Sequence, residues 1–525
     1  MAAPYDLSAP RAAFSASAVT RVLRDLLAPR QSEAQKNWLR AVASVTTAQR
    51  PDLAEDLVDI LGAEPFEDGH SPLAELTIGE VGVCYEALIA LTDSTARKSS
   101  GQYFTPDDAA HFMAGQSMTF PDGVWMDPCC GVGNLAWHLA SVQNDPAEFV
   151  QDRLILVDVD RTALLSAVAL IGADFLAHGD REGLRALHAR AVQRDFLSPA
   201  PLPQHDHVIV NPPYARAPMQ SGLRTRATRE FFAFFIERVA TSARGFIAVT
   251  PASYLAAPKF QILRDVLEEA NDGGRVFVFD NVPDTLFRGY KFGSTNTSNT
   301  NFVRAAITVC SPTDTDWEIT PIIRWRSASR PHVFPLAARL LAPRTIGPTG
   351  EWVKLPAELG NVWERLAATP TVLSDLLVRH ETPHSLTVGL TPRYYISAAY
   401  RNLERGSKAV LYFANDEDRD RAALVLNSSI PYIWWRALDG GVTLPKRVLF
   451  GTPLPDCAAD DATLAALARE LQETEEASIT TKLNAGLVNE NVKRPPELVD
   501  RLNRAILGES PDLRILYTED MAAPR

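Results

Sequence analysis

The sequence is short of cysteine. It has five in 525 residues, Cys84, Cys129, Cys130, Cys310 and Cys457, with neither the paired spacing of a metal site nor the even count of a disulfide framework. No bound metal and a reducing cytoplasm are the expectation. No apolar run reaches the roughly 18 residues a membrane span needs. The opening Met-Ala-Ala-Pro-Tyr-Asp lacks the basic-then-apolar order of a secretory signal. A cytoplasmic protein with no membrane partner is expected. Positive charge is also scarce: 52 Lys and Arg against 64 Asp and Glu leave a net −12. That argues mildly against nucleic-acid binding, although phosphate contact needs only a local basic face. No Pro-Asp…Glu-x-Lys nuclease pattern stands out, so DNA cleavage is not expected. What is present is 46% apolar and 22% charged residues, an ordinary globular composition. The length suits two to four domains.

The chain is organised around residues 126–214. This stretch opens with Met-Asp-Pro-Cys-Cys-Gly-Val-Gly-Asn-Leu (126–135) and closes with Val-Ile-Val-Asn-Pro-Pro-Tyr (208–214). Each end reads as a strand stopping abruptly in a loop. The first loop carries Gly131 and Gly133 and runs into a helical stretch, the arrangement that brings a ligand to a helix N-terminus. Glycine lacks a Cβ, so a ligand can approach the backbone there. Asp127 at the strand end can accept from a cationic or amino group. A dinucleotide loop wants a third glycine for its pyrophosphate, and this one has none. Cys129 and Cys130 read as small, semi-buried fillers. A Pro-Cys pair is also the nucleophile signature of cytosine-C5 methyltransferases, but there it sits on the later, substrate strand, so that reading is rejected. The run 154–160 is a second buried strand ending in Asp158 and Asp160, about 20 residues past the glycine loop, where an acid can reach ribose hydroxyls. Asp158 is favoured for the ribose; Asp160 is the alternative and can cap the following helix.

The second loop puts an amide, two prolines and an aromatic ring at a strand end. An exocyclic amine is a poor nucleophile because its lone pair is delocalised into the ring. Asn211 and the Pro212 carbonyl can accept its two N–H bonds. Pro212 and Pro213 stiffen the loop, and Tyr214 offers a face on which a flipped base can stack.

Taken together and in this order, about 80 residues apart, the two loops resemble those of the S-adenosylmethionine-dependent adenine-N6 DNA methyltransferases. The resemblance is strong over residues 99–330 and moderate over 380–455. It implies a Rossmann-like, seven-stranded α/β methyltransferase sandwich, with an N-terminal helical region and a C-terminal α+β target-recognition domain. The expected divisions are 1–98, 99–330, 331–458 and a helical 459–525. It implies S-adenosylmethionine as cofactor and double-stranded DNA as partner, with a cognate restriction or specificity subunit as a further partner. The Gly-Gln-Tyr-Phe-Thr-Pro stretch (101–106) matches the family segment that closes over the methionine end of the cofactor, so Tyr103, Phe104 and Thr105 are cofactor candidates. By its residues alone, Thr105 is a helix cap paired with Asp108. The resemblance adds Cys130 to the cofactor loop, assigns Asp195 to the adenine amino group and Phe196 to that ring, and suggests Phe287 for the other face of the target base.

The rest of the chain is less specific. Residues 1–98 have helical periodicity and read as a cap on the next domain. Arg216, Arg224, Arg226 and Arg229 make a basic stretch that could track phosphates or simply be solvated. Thr-Pro-Arg-Tyr-Tyr-Ile-Ser (391–397) and Leu-Asn-Ser-Ser-Ile-Pro-Tyr-Ile-Trp-Trp-Arg (426–436) interleave aromatics with arginine. Such rows suit a DNA-contacting surface and also an aromatic core. Arg216, Arg393, Trp435 and Arg436 are the candidate substrate contacts. Rival readings are cytosine-N4, RNA or protein-glutamine methylation, because an amide nitrogen poses the same chemical problem. A catalytically silent, DNA-binding methyltransferase-like subunit is a rival of another class.

Overall fold

Apolar runs too short for helices, and without a polar alternate, form strands covered on both faces. Six strands lie between residues 125 and 279: β1 (Trp125–Asp127), β2 (Leu154–Asp158), β3 (Ala191–Gln193), β4 (His207–Val210), β5 (Gly245–Pro251) and β6 (Gly274–Phe279). A two-residue hairpin, β7 (Lys291–Phe292) and β8 (Thr295–Asn296), precedes β9 (Ala305–Cys310), β10 (Trp317–Ile323) and β11 (Ala342–Pro343). This is a computed structural model, and it describes residues 16–27, 33–67, 69–92, 105–287, 291–292, 295–296, 303–392, 394–484 and 487–516.

The main sheet runs β3-β2-β1-β4-β5-β9-β6-β10-β11. β3, β2, β1, β4 and β5 are mutually parallel, and β9 inserts antiparallel between β5 and β6. The sheet has nine strands rather than the expected seven, because β10 adds parallel to β6 and β11 pairs antiparallel at the edge. Successive side chains of a strand point to opposite faces, and the core divides accordingly. Ile209, Ile247 and Phe277 face one helical layer, while Val208, Val210, Phe246 and Val276 face the other.

The N-terminal helices Ala34–Gln49 and Ala54–Leu61 belong to the first layer. Trp38 is fully buried and donates its indole N–H to Ser166 Oγ at 3.0 Å. The Arg50 guanidinium donates to the carbonyls of Leu176 (2.8 Å) and Ala177 (2.7 Å) at the end of the helix Arg161–Phe175. The division at residue 98 is therefore corrected: these helices and the sheet share one core.

The boundaries at 331 and 458 move as well. Residues up to 343 still pair in the main sheet, and a second core gathers apolar residues from Val353 to Leu516. That unit holds a three-stranded antiparallel sheet, β12 (Ser385–Gly389), β13 (Ala398–Ala399) and β14 (Lys408–Tyr412), packed with helices. Its final part is not wholly helical: a hairpin, β15 (Ile479–Asn484) and β16 (Leu487–Val492), separates the helices Asp461–Glu473 and Pro496–Leu507.

The aromatic row at 426–436 lies inside this second core, so Trp435 and Arg436, expected to touch DNA, are corrected to interior residues; each is 2% exposed. Ser429 donates its backbone N–H to Asn503 Oδ1, and Asn503 Nδ2 donates back to Ser429 Oγ, both at 2.9 Å, so the Asn-Ser-Ser motif ties two helices together. Arg436 reaches across to the main sheet. There Asp280, at the end of β6, accepts from Arg304 (2.8 Å), Arg324 (3.2 Å) and Arg436 (3.2 Å) with its carboxylate fully buried. Burial alone would raise this carboxyl, but the three guanidiniums hold it down at about 2. Removing the shared acid leaves three cations in the interior. Asp280→Ala is therefore expected to cost about 3–5 kcal/mol of unfolding free energy, read by denaturant titration. A change near zero would mean that water enters the junction.

Candidate active site

Three strand ends supply the site. β1 stops at Asp127, β2 at Asp158, and β4 delivers Asn211 one residue past its end. β1 lies between β2 and β4 and runs parallel to both, with Trp125 opposite Leu154 on one side and His207 on the other. All three carboxyl ends therefore open on the same edge of the sheet. They border a cleft of about 330 Å³ lined by Asp127, Gly131, Asp158, Asp195, Asn211 and Pro213, among others.

The glycine loop turns through left-handed backbone at Gly131 (φ +51°) and Gly133 (φ +93°) before the helix Asn134–Ser141. The two glycines serve different ends. A Cβ on Gly131 would meet nothing within 4 Å, and this residue lines the cleft. A Cβ on Gly133 would come within 2.9 Å of Ile171 Cδ1 and 3.0 Å of Ala167 Cβ. Gly133 is thus the packing glycine between two helices, while its neighbours Val132 and Asn134 line the cleft. Cys130 lines it as well, 6% exposed.

The acids divide their work. Asp158 accepts from the backbone N–H of Gly131 (2.8 Å) and of Asp160 (2.9 Å), so it braces the glycine loop from the neighbouring strand. Asp160 caps the helix Arg161–Phe175 through the N–H groups of Thr162 and Ala163 and accepts from the Tyr85 hydroxyl at 2.5 Å. Burial pushes the Asp158 carboxyl up to about 6 and that of Asp127 up to about 8. Asp195 is exposed at the cleft mouth and accepts from the Leu197 N–H at 2.9 Å. Phe196 and Phe235 face each other across 5.0 Å and both line the cleft.

Asn211 is held at both ends. Its Nδ2 donates to Thr105 Oγ1 at 2.9 Å, and its backbone carbonyl accepts from the Cys129 thiol at 3.1 Å. Thr105 caps no helix: Pro106 holds the cap position of Asp107–Gln116 and no side chain caps that helix. Beyond Asn211, Pro212 is buried and Pro213 borders the cleft. Tyr214 donates its hydroxyl to the Val249 carbonyl at 2.8 Å. Phe287 meets the Tyr214 ring edge-on, centroids 5.8 Å apart at 75°, and is 2% exposed. Two rings in edge contact leave no slot between them, so the expected place of Phe287 on the far face of a base is corrected to a core contact. Arg216, Arg226 and Arg229 are exposed beside the loop, while Arg224 is paired with Glu269. Tyr103, Phe104 and Arg393 lie outside the described residues.

The helix Ile78–Thr92 is a contributor that the sequence reading missed. It lines the cleft with Gly82, Tyr85 and Glu86. It is apolar around most of its circumference, the sign of a helix covered on all sides, and that was the available signal.

The N-6 DNA Methylase family matches residues 77–240, from this helix to the one that follows the Asn-Pro-Pro-Tyr loop. No curated protein matches the chain. Among solved structures, a modification subunit of a putative type I restriction enzyme from Vibrio vulnificus YJ016 is similar at 12% identity, over 58% of this chain and 72% of that one, with a TM-score of 0.35. A putative class I S-adenosylmethionine-dependent methyltransferase from Listeria monocytogenes is similar at 13% identity, over 59% and 94%, with a TM-score of 0.32. The methyltransferase subunit of a type I restriction-modification system from Streptococcus thermophilus is similar at 17% identity, over 58% and 67%, with a TM-score of 0.29. These likenesses are distant. The family match covers residues 77–240, the segment that carries the cleft, and it agrees with S-adenosylmethionine as the expected methyl donor.

The residues present fit that donor. Two buried acids suit its positive charge, the open side of Gly131 allows close approach, and an aromatic pair suits its purine. Asn134, 8% exposed and lining the cleft, has an Oδ1 with no hydrogen-bond partner among the described residues, and a buried acceptor of this kind wants a donor. The charge argument has a pH consequence. In the free protein both acids hold protons below their raised values, whereas a cation in the cleft favours their ionised forms. Binding therefore releases protons, and affinity should rise from about pH 5.5 through pH 7.5. Asp127→Asn should flatten the upper part of that rise. Calorimetry in buffers of differing ionisation enthalpy measures both; an affinity independent of pH would show the acids already ionised.

Proposed function

We propose that the chain is a site-specific DNA methyltransferase acting on the N6 amine of an adenine swung out of duplex DNA, within a bacterial restriction-modification or defence system. One observation carries the reading: Asn211 and the Asp127–Gly131 loop border a single cleft at one edge of the sheet.

The chemistry asked of these residues is orientation and hydrogen bonding. S-adenosylmethionine, when bound, supplies a methyl group on a positively charged sulfur. The Asn211 side-chain oxygen and the Pro212 carbonyl accept the two N–H bonds of the amine, drawing its lone pair out of the ring. The proline pair limits the directions that carbonyl can take. Holding the two reactants in line then carries much of the rate. Tyr214, anchored through its hydroxyl to Val249, gives the base a face to rest on. Residues 353–516 form a second unit with its own apolar core, large enough to read a DNA sequence, which favours DNA over RNA or protein as substrate. A separate specificity or restriction subunit and a cytoplasmic location belong to the same reading.

Asn211→Ala should keep its affinity for S-adenosylmethionine and lose at least about a hundredfold in methyl transfer. Transfer of labelled methyl to unmethylated genomic DNA, with mass spectrometry of the digested product, reads the rate and the base together. N4-methylcytosine in place of N6-methyladenine would reassign the target, and unimpaired transfer by the variant would defeat the hydrogen-bonding account.

A further inference from the structure

An arginine is an odd choice for left-handed backbone. Arg229 takes that conformation, with φ +55° and ψ +38°, and among the described residues no other non-glycine has a positive φ. Glycine would adopt it at no steric cost, and asparagine at less. Such an outlier persists where the fold or the function requires the side chain. The fold does not use this one: Arg229 is exposed, and among the described residues nothing pairs with its guanidinium.

Its backbone is fixed beside the Asn-Pro-Pro-Tyr loop. The Ala217 N–H donates to the Arg229 carbonyl at 3.0 Å, and the Phe231 N–H donates to the Ala215 carbonyl at 3.0 Å. The three residues after Tyr214 are thus stitched to residues 229–231, with Arg216 opposite Glu230. The segment between is anchored from inside the fold. Glu237, 6% exposed on the helix Phe231–Ser242, accepts from the backbone N–H groups of Arg224 (2.8 Å) and Thr225 (2.7 Å) and from the Thr225 hydroxyl (2.7 Å). Arg224 is spent on Glu269, and Glu230 is taken by Lys259 at 2.6 Å. Arg216, Arg226 and Arg229 remain exposed, with no acidic partner among the described residues. Three unpaired cations on an anchored segment, in a chain of net charge −12, suit an anion that arrives from outside. All three stand outside the residues that line the cleft, so that anion is not the ligand of the cleft.

We propose that Arg216, Arg226 and Arg229 grip backbone phosphates of the DNA strand beside the extruded adenine, and that Arg229 is kept in left-handed backbone for this contact. This rests on the chain acting on duplex DNA. Swinging a base out carries its flanking phosphates toward the loop that receives it, and Arg216 follows Tyr214 by two residues. A guanidinium serves phosphate oxygens through paired N–H donors. Such contacts carry no sequence information; they hold the strand in register while the base leaves the stack.

Phosphate contacts can be read without knowing the target sequence. The test is binding of the full chain to a labelled duplex of arbitrary sequence, by fluorescence anisotropy from about 50 to 200 mM salt. Thermal unfolding and calorimetry with S-adenosylmethionine accompany it. Arg229→Gly should weaken binding about three- to tenfold and lower the slope of log affinity against log salt by about one. Its unfolding temperature should stay within about two degrees of wild type or rise, because relief of strain offsets the freer unfolded chain. Arg216→Gln and Arg226→Gln should lower the slope in the same way, and Arg229→Lys, which keeps the charge, should preserve it. The S-adenosylmethionine dissociation constant should stay within about threefold in all of them. An unchanged slope in the three variants that lose an arginine charge would overturn the proposal. So would an equal fall in the control Arg185→Gln, on the helix Arg181–Ala189, or early unfolding of Arg229→Gly. Wild type that binds the duplex with the expected slopes yet transfers no methyl to DNA would support the grip and overturn the reading of the chain as a DNA methyltransferase. Wild type that methylates DNA while the variants bind it unchanged would sink the grip alone.

Discussion

The parallel pairing of β1 with β2 on one side and β4 on the other is the constraint the site depends on. Parallel neighbours end on the same edge, so three loops far apart in sequence must finish side by side. An antiparallel β4 would send Asn211 to the opposite edge from Gly131. The strands are short, three to five residues, so little freedom remains for the loops to drift. Parallel strands also need helical crossovers, and the crossover Arg161–Phe175 takes the contact of Gly133 on one side and of Trp38 on the other. The same helix that lets β2 and β3 run parallel thus supports the glycine loop and anchors the N-terminal layer.

Inside this frame the buried acids are held in a high-energy arrangement. Asp127 and Asp158 stand at adjacent strand ends with little solvent, and burial raises both carboxyls. A protein selected only for stability would place neutral groups there. Asp158 recovers part of the cost through two backbone N–H groups, one of them from Gly131. Among the described residues, Asp127 has only the longer contact from the Cys129 N–H at 3.3 Å. A cation beside them would offset the remainder, because it favours the ionised form of both carboxyls.

Legibility from sequence tracked how far a residue's role is local. The glycine loop, the acids and the Asn-Pro-Pro-Tyr loop stood out because backbone turns and strand ends restrict residue type at fixed offsets, and the structure gathers most of those residues at one cleft. The aromatic and arginine rows at 426–436 did not separate, because a DNA-facing stripe and a packed helix use the same residues; only burial distinguishes them, and Trp435 and Arg436 proved interior. Phe287 was chosen by chain order, which does not say which way a ring points. Tyr85 and Glu86 were passed over because their helix carries no motif, and its place over the cleft is a long-range packing outcome. The extra strands β10 and β11 escaped notice for a similar reason: edge pairing depends on what lies beside it.

The two cores meet through charge as well as through apolar contact. Three arginines around Asp280 leave a net positive junction, with Arg304 and Arg324 from the sheet side and Arg436 from the second unit. Arg436 also donates to the Ile322 carbonyl at 3.3 Å, and Arg304 to that of Gly441 at 3.2 Å, so the guanidiniums have acceptors besides the acid. Arginine suits the place because its planar fork holds several donors in fixed directions, so it can serve a carboxylate and a carbonyl at once with set geometry. Such a cluster is directional where apolar packing is not, since a small slide of one unit would part a charged donor from its acceptor. The second unit is thereby tied to the end of β6, in the same sheet whose β1, β2 and β4 ends form the cleft. The second unit and the cleft that Asn211 borders thus take their positions from one sheet.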